Sequence, residues 1–433
     1  MAEVDDGREP ESIRPDLFDG LRVIELGQYV AAPYCAELFA HGGAEVLSIE
    51  PPAGTPTRFS PPGAPDGIQY VSKARGKRSI ALALNHDEGR RIALELCLTA
   101  DVVISNMRPG SAERLGLGYA ALAELKPSII VAEVDGFGDH DGDDPKACVD
   151  IVAQGASGLL ASLALDTEPR VRRDVLLTDV AAGMLLAFGV SSALWHRERT
   201  GRGQRVTTSL MGAALALQLR TAHIAGAGDA ELMDTVQARQ EGAPFEEVLA
   251  RHNAATNRMY PTYDVFATAD GWLAVGGVRH NGHVLYELAG IDSTAVDSDG
   301  RSLTEQLGER LRTLDAATVT AHLEAAGVPV GPVRLLEEVL TDPDQVARGH
   351  VDDFDHERLG RLRLPAAPVH FSGSTYAARR TTPTLGEHTV DELRRLGYDM
   401  SAIERLDAAG VVLTAPSTGN PPAGAGTQGG TNG

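Results

Sequence analysis

Positions 180–195 carry no charged side chain, and Ala, Leu, Val, Met and Phe fill most of them. A surface helix would interleave polar residues at a period of 3.6, so this stretch predicts a helix buried on nearly all sides. It is too short and too rich in Gly, Ser and Ala to read as a membrane span. Its C-terminal end carries His196, Arg197 and Arg199, which suit the negative pole of a helix, and Gly201 follows as a stop signal. At its N-terminal mouth stands Asp179, after Thr178 and the apolar run Val175-Leu176-Leu177. A carboxylate there is either an N-cap or a reagent, and this stretch alone leaves both readings open.

The flanking pattern says what such a helix packs against. Apolar runs at 21–26, 46–49, Val102–Ser105 and 129–134 predict strands, and Arg205–Ser209 is strand-like. Helical stretches at 33–41, Asp87–Thr99 and Tyr119–Leu125 separate them, and Gly42-Gly43 closes the first helix. Strand, helix, strand at this spacing predicts parallel βαβ units and an α/β, Rossmann-like doubly wound large domain. The turn after the first strand, Gly27-Gln28-Tyr29-Val30, is not the G-x-G-x-x-G of dinucleotide folds. Neither a P-loop nor a G-x-S-x-G nucleophile elbow occurs. Farther on, two apolar runs around Asp270-Gly271 predict a hairpin, and helices are predicted at His283–Ala289 and 302–326, together a small α/β unit. The expected organisation is a disordered leader (1–16), the N-terminal part of the large domain (17–210), a helical linker (211–260), the small domain (261–326), a return segment completing the large domain (327–413) and a disordered Gly/Pro/Ser/Thr tail (414–433).

Charge narrows the ligand. With 39 Lys and Arg against 60 Asp and Glu the net charge is −21, which excludes nucleic acid as a general partner. An anionic ligand has to meet a local basic patch, and the chain offers two. Arg75, Lys77 and Arg78 form one, and Asn106, Arg108 and Arg114 another beside a strand end, where α/β folds hold their ligands. Three widely spaced cysteines without a C-x-x-C pair fit a reduced protein with neither a disulfide framework nor a cysteine-ligated metal. No apolar signal segment follows Met1, so the expected location is cytoplasmic.

Read together, several segments resemble the family III CoA-transferases (the CaiB/BaiF family). They run from FDGLRVIELGQYVAAPYCAELFAHGGAEVLSIEPPAGTPTR through GKRSIALAL, DVVISNMRPGSAERLGLGYAAL and LTDVAAG…HRERTGRGQRV to YDVFATADGWLAVGG, GVPVGPVRLLEEVLTDPDQVARGHV, LGRLRLPAAPVHFSG and PTLGEHT. The order is the family's and nearly the whole chain between leader and tail is covered.

The resemblance implies a large and a small α/β domain and a homodimer whose two chains interlock. Asp179, by its place in L-x-D-x-x-x-G, would be the nucleophile that attacks an acyl-CoA thioester. Lys77, Arg78, Asn106, Arg108 and Arg114 would flank CoA, which is a substrate; no tightly bound cofactor, metal or membrane span is implied. Pro51-Pro52 and Asp135 stand where relatives often place an arginine and a lysine. The racemase branch of the family needs a histidine before an aspartate; here the segment is Cys148-Val149-Asp150-Ile151, with Val149 in its place. The alternatives to CoA transfer are therefore an α-methylacyl-CoA racemase or epimerase, which lacks this imidazole, and a non-catalytic acyl-CoA binding protein.

Overall fold

The structure is a computed structural model, and it describes residues 15–59, 67–138, 146–164, 169–171, 173–218, 230–259, 261–278, 280–294, 301–379 and 381–414. The expected disordered leader and tail lie almost wholly outside these residues. The chain divides into two compact units. One comprises residues 1–159, 171–220 and 343–433; the other comprises 160–170 and 221–342.

The first unit is built on a seven-stranded sheet. Its parallel strands are β1 (Arg22–Leu26), β2 (Glu45–Glu50), β3 (Arg78–Leu82), β4 (Val102–Ser105), β5 (Ile130–Asp135) and β6 (Arg205–Ser209). They run in the order β3-β2-β1-β4-β5-β6, and the short strand Val412–Leu413 pairs antiparallel to β3 at the edge. The strand order reverses between β1 and β4, which makes that crevice the topological switch point. β3 lies inside the GKRSIALAL stretch, where hydropathy alone had not set a strand apart.

Both sheet faces are buried, so the strands are apolar almost throughout. Val23, Val46, Ile104, Ile130 and Ala132 pack under the helices Ala31–His41 and Leu177–Thr200. Ile24, Leu47, Ile80, Val103 and Val131 pack on the opposite face with Ile92 and Leu96 of the helix Asp87–Thr99 and with Leu393, Ile403 and Leu406.

The long helix Leu177–Thr200 departs from expectation. Ala182, Leu186, Val190 and Ala193 are fully buried against the sheet, but Met184 (47%), Leu185 (41%), Phe188 (73%) and Trp195 (67%) are exposed. One face of the helix meets the sheet; among the described residues nothing covers the opposite apolar face. By length and composition alone the helix could cross a membrane, with a mean hydropathy of 1.6. Its small-residue face is nonetheless fixed in the core of the first unit, with Gly183 so close to the Ala31 carbonyl that a Cβ would stand 2.8 Å from it.

The second unit has a three-stranded antiparallel sheet, β7 (Tyr263–Ala267), β8 (Trp272–Gly276) and β9 (Val330–Pro332). The hairpin expected around Asp270-Gly271 joins β7 to β8. The single helix expected over 302–326 is two, Leu303–Leu311 and Ala316–Ala325, because Asp315 accepts the Thr318 N–H and caps a new helix at that point. The helices Ala230–Gln240 and Phe245–Met259, in the stretch read as a linker, also fall in this unit.

Candidate functional site

The N-terminus of the long helix is capped by a residue remote in sequence. Leu176, at the N-cap position, offers no side-chain bond. Asp150, which opens the helix Asp150–Ala156, takes that role. Its Oδ1 accepts from the Thr178 N–H (2.8 Å), the Thr178 hydroxyl (2.7 Å) and the Asp179 N–H (3.3 Å), and its Oδ2 accepts from the Gln154 amide. Asp150 is 4% exposed and Thr178 fully buried. These bonds satisfy donors that a helix start leaves open.

Asp179 is therefore inside the first turn and is not the cap. Among the described residues its carboxylate has no hydrogen-bond or ion-pair partner. Burial pushes it up to about 6, the Asp150 carboxylate adds to that rise, and the Lys73 ammonium opposes it. A carboxylate that is partly desolvated, beside another carboxylate and held by no donor has the character of a reagent rather than a structural group. The Cys148 thiol shares the same field and is raised by burial and by Asp179.

The switch-point crevice lies in the same unit. Asn106, just after β4, clasps the backbone of the loop after β1: its Oδ1 accepts from the Gln28 N–H (2.8 Å) and its Nδ2 donates to the Gln28 carbonyl (2.7 Å). Tyr29, at the tip of this loop, has φ 62° and is 55% exposed. A non-glycine residue in the left-handed region costs energy that the clasp has to hold in place, a feature concentrated at ligand sites. A pocket opens at the C-terminal ends of β1 and β2, with Gly27, Gln28 and Tyr29 on one side and Tyr70, Lys73 and Ala74 on the other.

The two basic patches fare differently. Arg108 and Arg114 are exposed beside Asn106, and among the described residues the Arg114 side chain is tied only to the Ser111 hydroxyl at 2.7 Å. The other patch does not exist in space, because strand alternation turns its members to opposite faces of the sheet. Lys77 is 5% exposed; its ammonium donates to Glu25 Oε2 (2.7 Å) and the Pro33 carbonyl (2.7 Å). Arg78 goes to the other face and donates to the fully buried Glu392 (3.0 Å). Arg75, 3% exposed, meets Glu37 at 3.2 Å. Two of the three donors of the buried Lys77 ammonium are thus taken within the fold.

Two residues of the site went unrecognised in the sequence. Asp150 stood in the segment compared for its missing histidine, and nothing local announced that it would cap a helix whose start lies 28 residues on. Lys73 was a lone lysine in an unremarked stretch; only packing brings it near Asp179.

The model of CoA-transferase family III matches residues 18–389. An acyl-CoA transferase of Fusarium pseudograminearum is 30% identical over 419 residues, 91% of this chain and 88% of the relative. The succinyl-CoA:glutarate CoA-transferase of Mus musculus is 28% identical (93% and 91%), and the succinyl-CoA:mesaconate CoA-transferase of Haloarcula hispanica 29% (88% and 96%). The crystal structure of a CAIB/BAIF family protein from Brucella suis superposes with a TM-score of 0.69 at 26% identity, over 88% of this chain and 100% of that one. The chain is an enzyme and belongs to the family III CoA-transferases.

Proposed function

We propose that this enzyme moves CoA from an acyl-CoA donor to a carboxylic acid through covalent intermediates on Asp179. The observation that carries the reading is the Asp179 carboxylate, which Asp150 relieves of its capping role. The carboxylate attacks the thioester carbonyl, the C–S bond breaks, and a mixed anhydride and free CoA thiolate result. The thiolate attacks the aspartyl carbonyl, the donor acid leaves as a carboxylate, and Asp179 holds CoA as a thioester. The acceptor carboxylate then attacks that carbonyl, giving a new anhydride and thiolate. Attack of the thiolate on the acceptor's carbonyl releases the new acyl-CoA and restores Asp179. Every step exchanges one acyl bond for another, so no net proton, metal or external energy enters. Asn106, Arg108 and Arg114 lie where the phosphates and nucleotide of CoA would meet a cationic strand end.

Incubation with succinyl-CoA and no acceptor should leave an adduct that hydroxylamine converts to a hydroxamate on the peptide containing Asp179, located by mass spectrometry. Asp179→Asn, which keeps size but cannot form the anhydride, should lower turnover by at least ~10³-fold with the fold retained. Transfer at the wild-type rate by the Asn protein, with deamidation excluded, would end the proposal. Racemisation is not favoured, because the exposed Val149 beside Asp150 offers no second proton carrier.

The exposed apolar face of the long helix supports a second element of this reading, a homodimer in which a second copy covers Met184, Phe188 and Trp195. Sedimentation should find no folded monomer on dilution to nanomolar protein; a stable monomer there rejects the dimer.

A further inference from the structure

The acid substrate poses an electrostatic problem. Its carboxylate has to approach a site that already contains Asp179 and Asp150, in a chain of net charge −21. Like charges brought together in a partly desolvated site repel strongly unless a cation lies between them.

Lys73, in the last turn of the helix Ile68–Ala74, lines the pocket at the ends of β1 and β2 with its donors open, and its ammonium feels the Asp179 carboxylate. Charged groups face it from each neighbouring element: Glu37 from the helix Ala31–His41, Lys77 from the approach to β3, and Asp179 from the long helix. Glu25 and Glu50 add the pocket wall from β1 and β2. Each of these carboxylates except Asp179 already holds a cation. Glu37 is paired with Arg75, Glu25 with Lys77, and Glu50 with Arg58 at 2.7 Å. Lys73 itself makes no hydrogen bond to a described residue and no ion pair within 4.0 Å, with Asp179 or any other. A gap is thus left between the ammonium and the nucleophile. Burial and the nearby Lys77 lower the Lys73 ammonium to about 8, and Glu37 and Asp179 oppose that shift.

We propose that Lys73 is a substrate-binding residue, whose ammonium, at the edge of the pocket at the ends of β1 and β2, receives the reacting carboxylate of the acceptor acid on its way to Asp179. This rests on the transfer reading above. In the step it serves, a carboxylate oxygen of the acid forms a bond to the aspartyl thioester carbon. The C–S bond breaks, and the electron pair leaves on the CoA thiolate; no proton moves. The ammonium offsets the repulsion of Asp150 while the acid approaches, and its three donors orient the oxygens.

The test is steady-state kinetics of the full chain with succinyl-CoA as donor and either glutarate or butyrate as acceptor. Lys73→Met should raise KM for both acids by about tenfold or more, the size of one charge-assisted hydrogen bond, with KM for succinyl-CoA unchanged. In the wild type, acid KM should climb as pH rises through about 8, where the ammonium loses its proton. Lys73→Arg, which stays charged, should keep acid affinity and lose that alkaline climb. An unchanged acid KM in the Met protein, or a rise confined to glutarate, overturns the proposal; the latter would put the ammonium on the distal carboxylate. Should the Met protein fail to fold, the wild-type pH profile and the Arg protein decide alone. Failure of the transfer reading looks different: the wild type would form neither product nor an adduct on Asp179.

Discussion

Two regions of the same sheet treat charge in opposite ways. Around β2 and β3 the buried ionic groups are matched: Lys77 with Glu25, Arg58 with Glu50, Arg75 with Glu37, and Arg22 and Arg78 with Glu392. At the head of the long helix and along the β4 crevice, charges are left open: Asp179 has no partner among the described residues, and Arg108 and Arg114 lie at the surface. Matched buried pairs hold a fold in one arrangement, and removing one partner strands the other. Open charges stabilise little, yet they can meet a substrate. Similar residue types at similar spacing are thus paired within the fold in one place and left open in the other.

The sharpest test sets Lys77→Met against Arg114→Ala. Lys77→Met leaves Glu25 buried without its cation and should cost about 3–5 kcal/mol of stability in urea denaturation. Arg114→Ala should leave stability unchanged and raise KM for acyl-CoA by about tenfold, with a weaker dependence on salt. If the two variants behave alike, the contrast between the regions is wrong. Arg78 follows Lys77 here: with its guanidinium on Glu392, it belongs to the structural set.

A smaller effect sharpens the same contrast at Asp179. Its folded value of about 6 lies above the 3.8 of an ordinary aspartate, so its ionisation is harder in the folded chain. A raised carboxyl contributes stability at low pH that is lost as pH rises through the folded value. Asp179→Asn should therefore gain up to about 2 kcal/mol at pH 8 and nothing near pH 4, read as the change in Tm across that range. In the proposed mechanism the ionised form is the nucleophile, so wild-type kcat/KM should rise with pH through about 6. A flat profile, or an Asn protein no more stable at pH 8 than the wild type, would mean that Asp179 is not desolvated.

Local pattern was enough for much of the architecture. The strands Val102–Ser105 and Arg205–Ser209 and the helices Asp87–Thr99, Tyr119–Leu125 and His283–Ala289 were legible to the residue from the local residue pattern. Asp179 was legible as a candidate from its place at the mouth of an uncharged helix and in the family pattern. Whether it was cap or reagent was not, since that depended on Asp150, far away in the chain. The basic patches show the same limit. Adjacent numbers suggested that Lys77 and Arg78 act together, but a strand sends neighbours to opposite faces, and only the packed helices reveal which carboxylate waits on each side.

The sequence by itself determined the parallel α/β plan and the family, since both rest on hydrophobic period and on motifs contiguous in the chain. Only the tertiary structure decided which charges are available. A charge's chemistry depends on its partners and its solvent, and those are brought by segments tens to hundreds of residues away: Asp150 beneath Asp179, Lys73 across the pocket, and Glu392 against Arg78.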